Sequence, residues 1–353
     1  MQQLLHAPVH EVALEQFWYH SRYQSIISGC DFWTPVQQCL RNFVAKGGFF
    51  TPLLVEDNFG NVKGSMLVFH DPQYRSAGDP DVACFGLVTV QNSFYLSKMI
   101  DEARQIVREI GFSRLRGPIN PPRYLFGYGV QISGFSYQNL AGSSINEPYH
   151  AGIYQELKNG GVFSDEDQYF NLVQSWDHTF DYIDKIELNR DFIFKNPPLD
   201  DNRKMRSLVD QLSAIMNDNL DYRPDYCHAT AETLLEIGKA YKDLPSGDKL
   251  VGLLYDDDVL AGAVIMQPDW FQVLKGEKMT RLIGDTYLLD KKYQGRRLFM
   301  NFSEYSKKII EDFKIQYYEH SSVHESAKAI LSTLKTGVTR ISKSYSVFEV
   351  QLG

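Results

Sequence analysis

No stretch of this sequence approaches ~18 consecutive uncharged apolar residues, so nothing in it reads as a membrane-spanning helix. The opening, MQQLLHAPVHEVALEQFW, lacks a basic head followed by an apolar run and a small-residue cleavage site, and a cytoplasmic location is expected. Cysteine is scarce. Cys30, Cys39, Cys84 and Cys227 stand apart with no C-x-x-C spacing, which argues against a zinc knuckle and a disulfide framework and predicts small thiols in or near a core. An excess of positive charge is also missing: Lys plus Arg number 36 against 44 Asp plus Glu, a net charge of -8, so no global field draws the chain to nucleic acid or anionic lipid. What is present is the balance of a packed protein, 43% hydrophobic against 23% charged. Its 353 residues suit two domains better than one core.

The clearest helix signal is SFYLSKMIDEARQIVREIG. Leu96, Met99, Ile100, Ala103, Ile106, Val107 and Ile110 recur there at three- and four-residue steps, between a capping Ser93 and Gly111. A β-prone run, VACFGLVTV (82–90), precedes it and FSRLR (112–116) follows, giving strand, helix, strand. The order returns with TRLIGDTYLL (280–289), a helix carrying Leu298, Phe302, Tyr305, Ile309 and Phe313 on one face, and KIQYYEH (314–320). The helix starts lie about 203 residues apart and the following strands about 202, the spacing of two copies of one α/β unit. LLVEDNFGNVKGSMLVF and LVGLLYDDDVLAGAVIM each read as strand, polar turn, strand, so each copy brings a hairpin. A helix over 203–216 opens the second unit, and a third helix is expected in each copy, near 151–158 and 326–335. The linker-like FKNPPLDDN puts the boundary near residue 190, which predicts units 1–190 and 191–353, each with its own mixed sheet.

Before its third helix the first copy carries about 28 additional residues, within 117–145. RGPINPPRYLFGYGVQISGF (116–135) packs three prolines, four glycines and four aromatic residues into twenty positions. An insertion after the C-terminal end of a parallel strand lies where open α/β sheets bind ligands. Prolines lower the entropy cost of ordering such a loop, and Tyr124, Phe126, Tyr128 and Phe135 would line an apolar wall with Asn120 at its edge. The competing reading makes the same loop a plug over the sheet's open end, or a strap between the halves.

These two hairpin-led units, with RLRGPIN and NEPYHAGIYQELKNGGV, resemble a bacterial family of tandem GCN5-related N-acetyltransferase (GNAT) folds in which a G-P-x-N motif and an N-x-P-Y-Y…L…G-F motif recur. DKKYQGRRL looks like that family's acetyl-coenzyme A loop and YSVFEV like its closing strand. The resemblance covers nearly the whole chain. It implies an α/β fold (α+β mixed sheets) of two tandem GNAT-like, acyl-CoA N-acyltransferase domains. It also implies an acyl-CoA or acyl-carrier thioester as co-substrate, with no tightly bound cofactor.

A coenzyme A site needs backbone N–H groups at a helix N-terminus, where pyrophosphate meets donors and the positive end of the dipole. The resemblance places it at Leu289, Gln294, Gly295, Arg296 and Arg297. Gln294 and Gly295 fit the Gln/Arg-x-x-Gly-x-Gly/Ala pattern, whereas Arg297 and Phe299 occupy the positions of its later small residues. Lys291, Lys292, Arg296 and Arg297 put four cations together, which suits a phosphate or the acidic surface of an acyl carrier protein. The corresponding VQNSF of the first unit has no glycine and no basic residue, and no donor is expected there.

Acyl transfer to an amine also needs a base for the amine and an acid for the departing thiolate. Asp285, in mid-strand, is the candidate for one role, against the alternative of a bulge carboxylate satisfied by backbone donors beside Gly284. Tyr154 keeps an aromatic hydroxyl where these folds often carry their acid; the second unit has Leu331 at that place. Asn120, Tyr124, Tyr128, Tyr149 and His150 are the candidates for holding substrate, and Glu319 and Glu325 could accept an amine. His320 and His324 are four apart but fall on a strand end and a turn, so no metal site is expected.

The reading that follows is N-acyl transfer from a CoA or carrier thioester to a small or lipid-like amine, with a long acyl chain conceivable from the aromatic insert. The alternative is a non-catalytic small-molecule or lipid binding protein with a degenerate donor site. An aminoacyl-tRNA-dependent transferase would want a broader basic surface than this acidic chain suggests.

Overall fold

The computed structural model describes residues 7–174, 188–337, 339–350 and 352. Helices α1 (Ala7–His20) and α2 (Trp33–Ala45) lead into a hairpin, β1 (Phe49–Glu56) and β2 (Val62–His70). Asp57 closes its turn by accepting from the N–H groups of Phe59 and Asn61. A short β3 (Tyr74–Arg75) is followed by β4 (Val82–Val90), α3 (Ser93–Ile110) and β5 (Arg114–Gly117). The insert holds α4 (Arg123–Phe126) and β6 (Val130–Ser133), and α5 (Pro148–Asn159) and β7 (Phe163–Gln174) complete the first half.

The second half runs β8 (Phe192–Lys195), α6 (Asn202–Leu220), β9 (Tyr226–Cys227), α7 (Ala231–Lys242), β10 (Val251–Asp256) and β11 (Val259–Pro268). It continues through α8 (Trp270–Leu274), β12 (Arg281–Leu289), α9 (Phe299–Phe313), β13 (Tyr317–His324), α10 (Lys328–Leu331) and β14 (Thr339–Val350).

Both strand-helix-strand units form as the periodicity predicts, with β4 parallel to β5 and β12 parallel to β13. Leu96, Met99, Ile100, Ala103 and Val107 turn α3's apolar stripe onto the sheet, while Ile110 is exposed. Its cap is Asn92, whose side chain accepts from the N–H of Tyr95, so Ser93 is the first helical residue and not the cap. The third helix expected near 326–335 is one turn of α10 followed by a 3-10 segment, Ser332–Thr336.

The main correction concerns the sheet. Two separate sheets were expected; one twelve-stranded sheet is found, in the order β1-β2-β4-β5-β14-β7-β13-β12-β11-β10-β8, with β6 also on β14. The halves exchange their last strands. First-half β7 lies against second-half β13, and β14, at the end of the chain, lies against first-half β5. β7 and β14 pair with each other from Thr339↔Gln174 to Val350↔Phe163.

Buried charge reinforces this seam. Glu319 (β13) and Lys343 (β14) are both fully buried, with Nζ 3.1 Å from Oε1. Asn171 (β7) also donates to Glu319 at 2.6 Å, Tyr317 donates to its other oxygen at 2.6 Å, and Ser342 at 2.9 Å. A second cluster ties the halves through Asp225, which accepts Arg116 Nε at 2.6 Å and Nη2 at 2.7 Å, and the hydroxyls of Tyr74 and Tyr169. Burial alone would raise the Asp225 carboxyl; Arg116 and the hydroxyls outweigh it and hold it below the usual carboxylate range. No helix among the described residues is long and apolar enough to cross a membrane.

Candidate functional site

The two parallel strand pairs diverge at equivalent places. Pairing of β4 with β5 covers Val82–Cys84 against Arg114–Arg116, and that of β12 with β13 covers Arg281–Gly284 against Tyr317–His320. Just beyond, each first strand carries a bulge, at Leu87 in β4, whose φ is 49°, and at Asp285 in β12. Divergence leaves backbone N–H and C=O groups facing a gap, and those groups must find partners.

In the first unit the chain supplies them itself. Ile119 donates its N–H to the Phe85 carbonyl at 2.7 Å, and Asn120 Oδ1 accepts from the N–H of Leu87 at 2.8 Å. The approach is so close that a Cβ on Gly86 would lie 1.7 Å from the Ile119 carbonyl oxygen. Asn120, expected at the edge of a substrate pocket, is fully buried, and its amide nitrogen is taken by the Phe126 carbonyl and the Ser144 hydroxyl. Phe126, expected in an apolar ligand wall, packs in the core against Tyr23 and Phe32.

The remaining insert residues reach the second half. Tyr124 stacks edge-on to Trp270 at 5.9 Å, Tyr128 donates to the Ser322 carbonyl at 3.4 Å, and the N–H of Ala141 donates to Asp269 at 3.0 Å. The insert is thus both plug and strap. Asn120→Ala strips Leu87's buried N–H of its acceptor and is expected to cost about 1–3 kcal/mol in urea unfolding. A loss below about 0.5 kcal/mol would mean that water replaces the amide.

The second gap differs. Beyond Gly284, no segment among the described residues pairs with β12 on the side facing β13: their pairing ends at His320, where β13 carries a bulge and continues along β7 alone through Val323 and His324. Tyr287 lies beside this gap, its hydroxyl 3.1 Å from that of Tyr318 and 3.3 Å from Ser306 Oγ. The His320 ring stands edge-on to Tyr318 at 4.9 Å. Gly284 leaves room for both, since a Cβ there would lie 2.0 Å from the Tyr318 hydroxyl and 2.8 Å from His320 Nδ1. Burial pushes the His320 imidazole down to about 4, against the upward pull of the Gly284 carbonyl, so it is neutral at pH 7. Sequence reasoning weighed His320 only as a metal ligand and passed over the two tyrosines. The signal was there in the i, i+2 spacing of Tyr318 and His320, which puts both on one face of a strand.

Of the donor-loop residues, Gln294, Gly295, Arg296 and Arg297 are exposed ahead of α9, and Leu289 is half-buried at the end of β12. Gly295 and Arg297 take positive φ, 83° and 60°. Arg296 lies over the Tyr293 ring at 5.0 Å, and Gln294 donates to Asn219 at 3.2 Å. The side chain of Asp285 lies outside the described residues.

Tyr154 is buried in the first unit, stacked on Phe163 and Phe348, and burial raises its hydroxyl pKa far above the ordinary value. Tyr149 is exposed and stacks at 4.3 Å on His150, which is buried. Glu319, considered as an amine acceptor, is the buried partner of Lys343 instead. Asp167, His324 and Glu325 offer ligand atoms within 4.8 Å of one another. His324, however, spends Nε2 on Asp167 and Nδ1 on Ser326, and Arg116 bonds the other Asp167 oxygen at 2.5 Å. Concavities of about 380 Å³, by His20 and Asn61, and about 300 Å³, by Pro197 and Asp248, include none of the candidate residues.

No protein-family model matches this sequence, and no curated protein matches it. Solved structures do. A tandem GNAT protein from the clavulanic acid biosynthesis pathway superposes with a TM-score of 0.52 over 92% of this chain and 96% of its own, at 10% identity. An Enterococcus faecalis protein of unknown function, described as a probable N-acyltransferase, gives 0.52 over 97% of this chain and 71% of its own, at 10% identity. A GCN5-related glucosamine N-acetyltransferase region of a fungal multi-domain β-N-acetylglucosaminidase gives 0.56 over 96% of this chain and 37% of that one, at 11% identity. The chain has the tandem GNAT fold.

Proposed function

We propose that this protein transfers an acyl group from a coenzyme A-type thioester to a small-molecule amine, and that the donor sits on the second unit. The observation that carries the reading is the contrast between the two gaps: the first is filled by Ile119 and Asn120, the second is open beside Tyr287 and His320. An extended thioester arm can pair with the free edge of β12 as a strand would. Its phosphates then fall toward the α9 N-terminus, where Gly295, Arg296 and Arg297 are exposed.

In the transfer the amine nitrogen attacks the thioester carbonyl, the C–N bond forms and the C–S bond breaks. Neutral His320 is suited to accept a hydrogen bond from the amine, but a ring titrating at about 4 is too weak a base to hold the proton the amine loses, and Asp285, at the bulge, is the candidate for that role. The Tyr287, Tyr318 and Ser306 hydroxyls form a connected chain that can return a proton to the leaving thiolate. The exposed cations of the loop accept a phosphopantetheine group equally from free coenzyme A or from an acidic carrier protein. Tyr124 and Tyr128, on the insert, are the proposed acceptor contacts from the first unit.

A second reading rests on Arg297 and Phe299, which crowd the phosphate loop: a non-catalytic small-molecule or lipid binding protein with a degenerate donor site. Calorimetry with acyl-CoA of graded chain length separates the two, together with turnover of the same thioester on an amine. Replacing Arg296 and Arg297 together by Ala is expected to weaken binding about ten-fold or more and to flatten its salt dependence. Unchanged affinity and salt response would assign both cations to a solvated turn, and failure of every thioester to bind the native protein would favour the non-catalytic protein.

A further inference from the structure

Beside the filled gap of the first unit lies a polar cluster that the proposed reaction does not use. The 3-10 turn Arg22–Gln24 lies against β4, where the N–H of Arg22 donates to Thr89 Oγ1 at 3.1 Å. Ser65 faces Thr89 across the β2–β4 pair. The Arg22 guanidinium stands 5.1 Å over the Tyr23 ring, and its charge acts on His150 and Tyr154, both brought in by α5. Ser144 joins the group to the plug, bonding both Tyr23 and the Asn120 amide.

Within this cluster Arg22 Nε, Ser65 Oγ and Tyr154 OH are shut off from solvent without a hydrogen-bond partner, while the His150 ring is drawn to the Glu147 and Val90 carbonyls and the Arg22 guanidinium also bonds the Tyr23 hydroxyl. Buried polar atoms are nearly always paired. Several left open in one place, each costing about 1–3 kcal/mol unless satisfied, mark a position for a polar guest.

The charge balance narrows its chemistry. Burial holds the Tyr23 and Tyr154 hydroxyls protonated, and burial together with Arg22 holds His150 down at about 4, hence neutral. Arg22 is then the single formal charge, and among the described residues no carboxylate pairs with it. A monoanion with two acceptor oxygens matches one guanidinium and two hydroxyls, whereas a doubly charged phosphate would leave a buried charge uncompensated. We infer that the cluster is a binding site for a small carboxylate, held by Arg22, Ser65 and Tyr154 and roofed by His150. The site is separate from acyl transfer in the second unit, and either can hold without the other.

The probe is sodium acetate. The full chain, labelled with 15N-histidine, is titrated with acetate against chloride at equal ionic strength while the His150 ring resonances are followed. The expected result is a saturable shift with a Kd of about 1–10 mM, the range that four heavy atoms reach. Tyr154→Phe, which keeps the ring stack, is expected to weaken that affinity about ten-fold. Arg22→Gln, at a partly exposed position, is expected to abolish it and serves if the first variant does not fold. Absence of a saturable shift in the native protein, or equal affinity in both variants, would overturn the site and leave internal water as the occupant.

Discussion

Replacing Lys343 with Met is expected to lower the free energy of unfolding by about 3–5 kcal/mol, because Glu319 would be left charged at a position with no access to water. The Glu319 carboxylate has three other donors, Asn171, Tyr317 and Ser342, and none carries charge. The double replacement Glu319→Gln with Lys343→Met removes both charges and keeps one acceptor oxygen for the Tyr317 and Ser342 hydroxyls, while the Asn171 amide retains the Ser143 hydroxyl. It is expected to recover more than half of the loss, as interacting partners do in a double-mutant cycle. The shift of the urea midpoint in all three variants is the measurement. Simple addition of the two single losses would mean that the pair is not coupled and that the seam is held by β7–β14 pairing alone.

The position of that pair explains why the sheet was misread. Hydrophobic spacing identifies a strand and says little about its neighbour. The closing strand YSVFEV was legible as a strand, and so was the strand-helix-strand order on either side of α3 and α9. Partner choice for β7 and β14 depends on residues scattered through the chain. Glu319, Lys343 and Asn171 meet only once the halves have exchanged strands. A buried lysine in TRISKSYSVFEV, four residues before the run of apolar positions, is indistinguishable in sequence from a solvated one.

The insert was legible as something unusual, since prolines and glycines at that density imply a fixed shape. Its role was not legible. Whether Asn120 offers its amide to a ligand or to the N–H of Leu87 turns on a 2.8 Å contact across 33 residues of chain. The proposed phosphate loop was singled out by its cations and Gly295, which are local signals. Tyr287 and Tyr318 were missed and His320 was weighed only as a metal ligand, because only the divergence of β12 from β13 gives these three side chains a gap to face.

Acidification from pH 6.5 to 4 is expected to remove much of this protein's stability before most carboxylates titrate. His150 and His320 are both buried, and each has its pKa lowered from 6.5 to about 4. The unfolded chain therefore takes up protons on these rings at a pH where the native protein does not. Stability is fully present above the unfolded value near 6.5, and it is lost as pH falls through the folded value near 4. A displacement of that size corresponds to ~3 kcal/mol per ring, and His70, also lowered by burial, acts in the same direction. Carboxylates come later: Asp167, held at about 2 by His324 and Arg116 against burial, loses its contribution only below the ordinary Asp range. Urea midpoints at half-unit steps of pH should fall through the histidine window first. His150→Gln and His320→Gln should each flatten that part of the profile, whatever they cost at pH 7. A native profile level between pH 6.5 and 4, or one equally steep in both variants, would show that these rings reach water more readily than their burial allows.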